Sequence, residues 1–413
     1  MSQRLKTRPP GPEARRVIEG FYKVSPPTYI QYPLVVKRFE GARLVDVDGN
    51  VYIDMDGDRG LRSIPLSISD FPAEAAQAIQ PADGLLLEVE YELLNALKHV
   101  LDADYKLHLA SSGLEALTLA LSSITEVSSS NSILLFHGRV EDSYNVGLKP
   151  MVVNRLPYPY CFRCAFKLDI SNCNYLCVER FKELLDEIGG SISLVVFRPV
   201  ESSKCIVPPE AVWRRIVKAS SEVGIPILCD EVEVSPGRSG KVFWFQSLEV
   251  KPSLICVGDG LASGLPIGAI AVEEYLAVWR PKLLKAVALN CMAALKTIEA
   301  VKDGVLLSKI HRLGRALRKR LEELSIQCEL IGDVRGLGLM VGFELVKDLK
   351  SKTPADTEAK FLSRYCFKRG LILGFEKPSI IRLTPPLTIE ERMIEEALQI
   401  IEDGVRELRQ TLT

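Results

Sequence analysis

Five short, uninterrupted apolar runs set the tightest limit on how this chain can fold. They are Ser132-Ile133-Leu134-Leu135-Phe136, Ser193-Leu194-Val195-Val196-Phe197, Ile225-Pro226-Ile227-Leu228-Cys229, Ser253-Leu254-Ile255-Cys256-Val257 and Ile267-Gly268-Ala269-Ile270-Ala271-Val272. A strand with one wet face alternates polar and apolar residues, whereas a continuous run of this length suits a strand covered on both faces. From about residue 86 to 275 the runs alternate with helical stretches, the pattern of a mainly parallel sheet between layers of helices. One intervening helix opens at Pro208-Pro209-Glu210, where proline fits a first turn, and stops at Gly224, which fits a C-terminal cap. The expected fold class is α/β.

The flanks read differently. Residues up to about 30 are rich in Pro and Arg and predict an arm with one short helix. Tyr32 to Arg38 reads as a short strand, and Val45 to Asp54 as a hairpin turning at Asp48-Gly49-Asn50. Beyond about 285, amphipathic helices over 293–301 and 308–324, the run Gly336 to Leu345 and a closing helix over 390–408 predict a smaller α+β C-terminal domain. The expected division is 1–54 as arm and entry strands packing on the small domain, 55–285 as the large domain, and 286–413 as the small one.

At 413 residues the chain exceeds one ordinary core, in keeping with two domains. A formal net charge of −1 gives no electrostatic reason to expect nucleic acid or an anionic membrane as partner. No apolar stretch reaches transmembrane length, and the first residues, Met1 to Pro10, lack the apolar core of a signal peptide. The expected location is the cytoplasm.

Of ten cysteines, four cluster as Cys161, Cys164, Cys173 and Cys177. Two close-set pairs of thiols suit a tetrahedral, structural zinc site, because each short loop can aim two sulfurs at one ion. Free thiols or disulfides on a surface excursion are the alternative.

Several positions carry chemistry. Ser112 and Gly113 precede a helix beginning near Leu114, where backbone N–H groups and a hydroxyl can meet an anion; an ordinary serine N-cap with Glu115 in the first turn is the other reading. Asp230 ends a buried strand, the edge at which open α/β sheets place ligands, or it caps the segment that follows. Phe136 ends another strand and can stack on a planar ring or simply pack in the core. Arg382, beside Pro385-Pro386, offers a planar fork for a carboxylate or for a surface ion pair.

Taken in order, these motifs resemble the class III (ornithine and 4-aminobutyrate type) aminotransferases over nearly the whole chain. The matching segments are Tyr32 to Asp54, Ser111-Ser112-Gly113-Leu114-Glu115-Ala116, Phe136-His137-Gly138-Arg139, Asp230-Glu231-Val232-Glu233, Gly237 to Lys241, Val334 to Met340 and Ile381 to Thr388. The resemblance implies PLP-transferase fold type I and pyridoxal phosphate (PLP) as cofactor. It assigns the phosphate to Ser112 and Gly113, the ring-stacking segment to Phe136 and His137, and the pyridine nitrogen to Asp230. Val232 would pack on the ring's other face, and Arg382 would take the carboxylate of a small amino acid.

Against that pattern stand several departures. Ser253 to Pro266 resembles the segment presenting the lysine that holds PLP as a Schiff base, yet Asp259 occupies that position, and a carboxylate cannot form that bond. Glu233 replaces a glutamine, Arg198 replaces a glutamate, and Leu114 replaces a small or hydroxylated residue. The Thr-Phe-Gly-Gly-Asn-Pro-like segment that reaches the partner subunit's phosphate is missing. Two unit charges about 4 Å apart interact by roughly 4 kcal/mol at an effective dielectric of 20. Carboxylates at 233 and 259 would therefore consume much of the roughly 8 kcal/mol behind a micromolar dissociation constant. PLP, if bound, would be held noncovalently and weakly. Arg198 and Asp259, each of swapped sign, form an expected reversed ion pair. Two readings follow. One is a silent aminotransferase-like partner or regulatory subunit, as a homodimer or as a heterodimer with an active paralogue. The other is an active PLP-dependent aminotransferase or racemase with a non-lysine base.

Overall fold

The computed structural model describes residues 5–26, 30–67, 71, 86–101, 104–136, 152–234, 236–258, 260–277 and 287–412. The chain forms two compact units, one of residues 1–65, 203–205 and 310–413, the other of residues 66–202 and 206–309.

The first unit opens with α1 (Pro12–Val24), whose N-terminal amides at Glu13 and Ala14 donate to the Asp48 carboxylate at 2.9 Å. β1 (Val36–Glu40), β2 (Arg43–Asp46) and β3 (Val51–Asp54) follow, with β2 and β3 paired antiparallel as the hairpin that the Asp-Gly-Asn turn predicts. The turn works because Gly49 adopts a positive φ of 79° and Asp46 accepts the Asn50 backbone N–H at 2.7 Å.

The second unit supplies α2 (Glu88–Leu101), β4 (Tyr105–Ala110), α3 (Gly113–Val127), β5 (Ser132–Phe136), β6 (Val152–Leu156), α4 (Leu176–Ile188), β7 (Ile192–Phe197), α5 (Glu210–Glu222), β8 (Ile227–Glu231), β9 (Leu254–Val257), β10 (Gly268–Glu273) and α6 (Ala288–Lys302). Its seven strands lie in the order β4-β10-β9-β8-β7-β5-β6. The pairs from β9 to β6 are parallel, and β10 is antiparallel to both β4 and β9, so β10 alone runs against the rest. The five apolar runs are β5, β7, β8, β9 and β10. The sheet therefore has two buried faces: Phe136, Phe197 and Cys229 pack with Trp213 on one, while Leu135, Val196 and Leu228 pack with Leu117 and Leu121 of α3 on the other.

The chain returns to the first unit within α7 (Val305–Gln327). It adds β11 (Ile331–Leu337), β12 (Met340–Leu345), α8 (Asp356–Phe367), β13 (Leu371–Ile372), β14 (Gly374–Glu376), β15 (Ile380–Leu383) and α9 (Glu391–Leu412). β13 joins β3 in parallel, and β11, β12, β15 and β14 make a second sheet. Tyr32 and Tyr52 stack on Phe367 at 4.8 and 5.5 Å. Among the described residues no helix is long and apolar enough to cross a membrane.

Candidate functional site

In a parallel sheet the carboxyl ends of the strands gather on one edge, with loops and helix N-termini around them. Here that edge carries the end of β7 and Arg198, the end of β8 with Asp230 to Glu233, Gly258 after β9, and the first turn of α3. Strand register decides what meets what. Phe197 pairs with Cys229 across β7 and β8. The next residues along, Arg198 and Asp230, lie side by side and share a face with Val232.

They meet closely. Arg198 donates from Nε (3.0 Å) and Nη2 (2.7 Å) to Oδ2 of Asp230, while Asp230 Oδ1 accepts the Val232 backbone N–H at 3.1 Å. Nη1 of Arg198 donates to Glu201 at 3.0 Å and stands 3.8 Å from Glu233. Ser202 Oγ in turn donates to Glu233 at 2.7 Å. Arg198 is 7% exposed and Asp230 1%. Burial works against the charge on Arg198, but the carboxylates of Asp230, Glu201 and Glu233 outweigh it and hold the guanidinium protonated well above its ordinary range. The loop is pinned as well: Tyr158 donates to the Arg198 carbonyl at 2.9 Å and Trp213 Nε1 to the Pro199 carbonyl at 3.1 Å. One guanidinium thus serves three carboxylates, a cluster of net charge −2.

At the first turn of α3, Ser112 is the N-cap. Its Oγ accepts the Glu115 backbone N–H at 3.2 Å, and the Glu115 carboxylate accepts the Ser111 backbone N–H at 2.6 Å and the Ser111 hydroxyl. Space around this turn is tight. A Cβ on Gly113 would collide with Val232, one on Gly258 with the Gly113 backbone, and one on Gly268 with the Ser112 carbonyl. These glycines are required by close approach, because none of the three has a positive φ.

Other expected site residues fall elsewhere. Phe136 is 5% exposed and packs on Phe181 (6.0 Å between ring centroids) and edge-on to Trp213 (5.1 Å), on the sheet face opposite Val232. That is the packing of a core phenylalanine. His137 and Asp259 lie outside the described residues, and so does the proposed Arg198–Asp259 pair; the described partners of Arg198 are the three carboxylates above. In the other unit Arg382, on β15 and 2% exposed, donates from Nη2 to Asp56 at 2.7 Å and from Nη1 to the Ser203 carbonyl at 3.0 Å.

The zinc expectation finds no support among the described residues. Cys161, Cys164, Cys173 and Cys177 form no disulfide and line one apolar pocket, and no group of three or more His, Cys, Asp or Glu among the described residues is placed to hold a metal.

The sequence reading noted Arg198 as a departure but missed that it would take Asp230. The signal was available: the apolar runs of β7 and β8 end at matching points, and an arginine and an aspartate follow.

The architecture is that of PLP-transferase fold type I. The comparisons with known proteins agree: residues 84–405 match the family model "Aminotransferase class-III", and the chain belongs to that family. It is 35% identical over 266 residues to a leucine/methionine racemase of Thermococcus litoralis, a match covering 62% of this chain and 60% of that one. An alanine/serine racemase of Pyrococcus horikoshii is 29% identical, covering 99% of this chain and 93% of the relative. In fold the chain is similar to a PLP-bound amine transaminase from an uncultivated Pseudomonas species, with a TM-score of 0.79 at 21% identity, covering 91% of this chain and 95% of that one.

PLP is the cofactor expected of this family, and the residues here fit it at one end only. The first turn of α3 has Ser112 as its N-cap and Gly113 packed closely against Val232, at the position the resemblance gives to the phosphate. At the other end, the carboxylate expected to face the pyridine nitrogen already accepts three N–H groups from the protein, two of them charged.

Proposed function

We propose that this chain is a non-catalytic member of the class III aminotransferase family, one that keeps the fold, lacks amino-group transfer, and acts as a partner or regulatory subunit. It would do so in the cytoplasm, as a homodimer or paired with an active paralogue. The observation that carries this reading is the engagement of Asp230 by Arg198. It compounds the resemblance of residues 253–266 to the family's lysine-bearing segment, which puts Asp259 at the lysine's position. PLP chemistry needs an electron sink at the pyridine nitrogen and a base for the α-proton. This chain withholds the usual provider of each. Any PLP bound would be held weakly and without a covalent bond.

The racemases among its relatives favour a second reading, an active racemase or aminotransferase in which a carboxylate such as Asp259 removes the α-proton. Both activities begin by breaking the same C–H bond, so one measurement tests both. Exchange of the α-proton for deuterium would be followed by NMR for a panel of amino acids, with PLP, with and without a 2-oxo acid. The non-catalytic reading expects no exchange above the PLP blank. Exchange that Asp259→Ala abolishes would overturn it.

A further inference from the structure

We propose that Arg198 is the residue that excludes the cofactor's ring: its guanidinium takes on Asp230 the place a protonated pyridine nitrogen would take. The inference deepens the non-catalytic reading and rests on it only in assigning Asp230 to the pyridine nitrogen.

Three features carry it. Nε and Nη2 both donate to Asp230 Oδ2, and two charge-assisted hydrogen bonds converging on one oxygen are harder to displace than one. The other Asp230 oxygen is committed to the Val232 N–H, so no oxygen of this 1%-exposed carboxylate stands without a partner. The arginine is itself anchored: Glu201 and Glu233 engage Nη1, and Tyr158 and Trp213 hold the backbone at Arg198 and Pro199. Swinging the guanidinium aside would leave three carboxylates around a buried gap. A pyridinium would have to supply what the arginine already supplies, with one N–H in place of the three that donate to Asp230 and Glu201. A pyridine approaching unprotonated would meet a carboxylate with no proton to share.

The turn at Ser112 and Gly113 is not part of this closure. The exclusion therefore acts on the ring and leaves the phosphate end alone.

The test uses pyridoxamine 5′-phosphate, which has the ring and phosphate of PLP but no aldehyde, so its binding does not depend on a lysine. Inorganic phosphate is the control. For the wild-type protein, calorimetry and thermal shift should give pyridoxamine phosphate no advantage over phosphate. The double variant Arg198→Gln/Glu201→Gln keeps the net charge of the cluster while freeing Asp230. It should bind pyridoxamine phosphate at least tenfold more tightly than the wild type, with phosphate binding unchanged, and adding Asp230→Asn should remove the gain. A wild-type protein that prefers pyridoxamine phosphate to phosphate would overturn the proposal, and this arm stands even if the double variant does not fold. A folded double variant with no gain would overturn it too, while leaving the non-catalytic reading intact. Conversely, α-proton exchange by a wild-type protein indifferent to the pyridine ring would defeat the non-catalytic reading and leave the Arg198 exclusion standing.

Discussion

The first turn of α3 and the Arg198–Asp230 cluster lie on the same edge of one sheet, yet they are finished in opposite ways. The α3 turn is made of small residues, Ser112, Gly113, Gly258 and Gly268, and its hydrogen bonds are the local ones of any capped helix. A local cap can share its donors with a ligand at little cost, since the bonds span only a few residues of exposed or half-buried chain. The cluster is made of one guanidinium and three carboxyl side chains from two neighbouring strand ends, nearly all out of water. Opening it means stranding buried charge. On the non-catalytic reading, an edge can keep the architecture of a cofactor site and lose its use by closing at one end.

The contrast predicts unequal responses to substitution. Arg198→Leu should cost about 3–5 kcal/mol in urea unfolding, because it leaves carboxylates buried without their partner. Arg198→Lys should recover part of that, since an ammonium keeps the charge but not the fork. A cost below about 1 kcal/mol for Arg198→Leu would mean that the cluster is as easily opened as the turn.

A pH titration sharpens the comparison one residue along, where Glu231 points to the opposite face of β8 and accepts the Trp244 and Phe245 backbone N–H groups at 2.9 and 2.6 Å. Burial pushes its carboxyl up to about 7 despite those bonds. In the folded state it therefore holds a proton that the unfolded chain releases near 4.5. Its contribution is fully present below that value and is lost as pH rises towards 7, amounting to about 3 kcal/mol at most. Unfolding free energies measured between pH 4 and 8 should fall across this window, and Glu231→Gln should flatten the fall. An unchanged slope in that variant would assign the pH dependence elsewhere.

Smaller effects belong to the turn. Gly258→Ala puts a methyl against the Gly113 backbone and should cost about 1–3 kcal/mol by thermal unfolding. Ser112→Ala removes the cap and should cost about 1 kcal/mol. If Ser112→Ala destabilised the protein as much as Arg198→Leu does, the two ends would not differ in kind.

The fold was legible because its determinants are local. Uninterrupted runs such as Leu134-Leu135-Phe136 mark buried strands, proline at 209 and glycine at 224 bracket α5, and Asp48-Gly49-Asn50 marks the hairpin. The site was legible in its parts but not in its pairings. Asp230 and Arg198 each stood out, yet which carboxylate an arginine takes depends on the register of two strands 32 residues apart in sequence. Phe136 shows the same limit: a strand-end aromatic reads alike whether it meets a ligand or, as here, Trp213. The cysteines show it again, since their spacing brings four thiols to one pocket but does not say what they bind there.

The most direct test of a site closed to PLP chemistry is to incubate the pure protein with PLP, reduce with borohydride and weigh the intact chain. The account predicts no stoichiometric adduct. A single adduct mapped to one lysine would contradict it, because an amine would then hold PLP where the proposed reading has none.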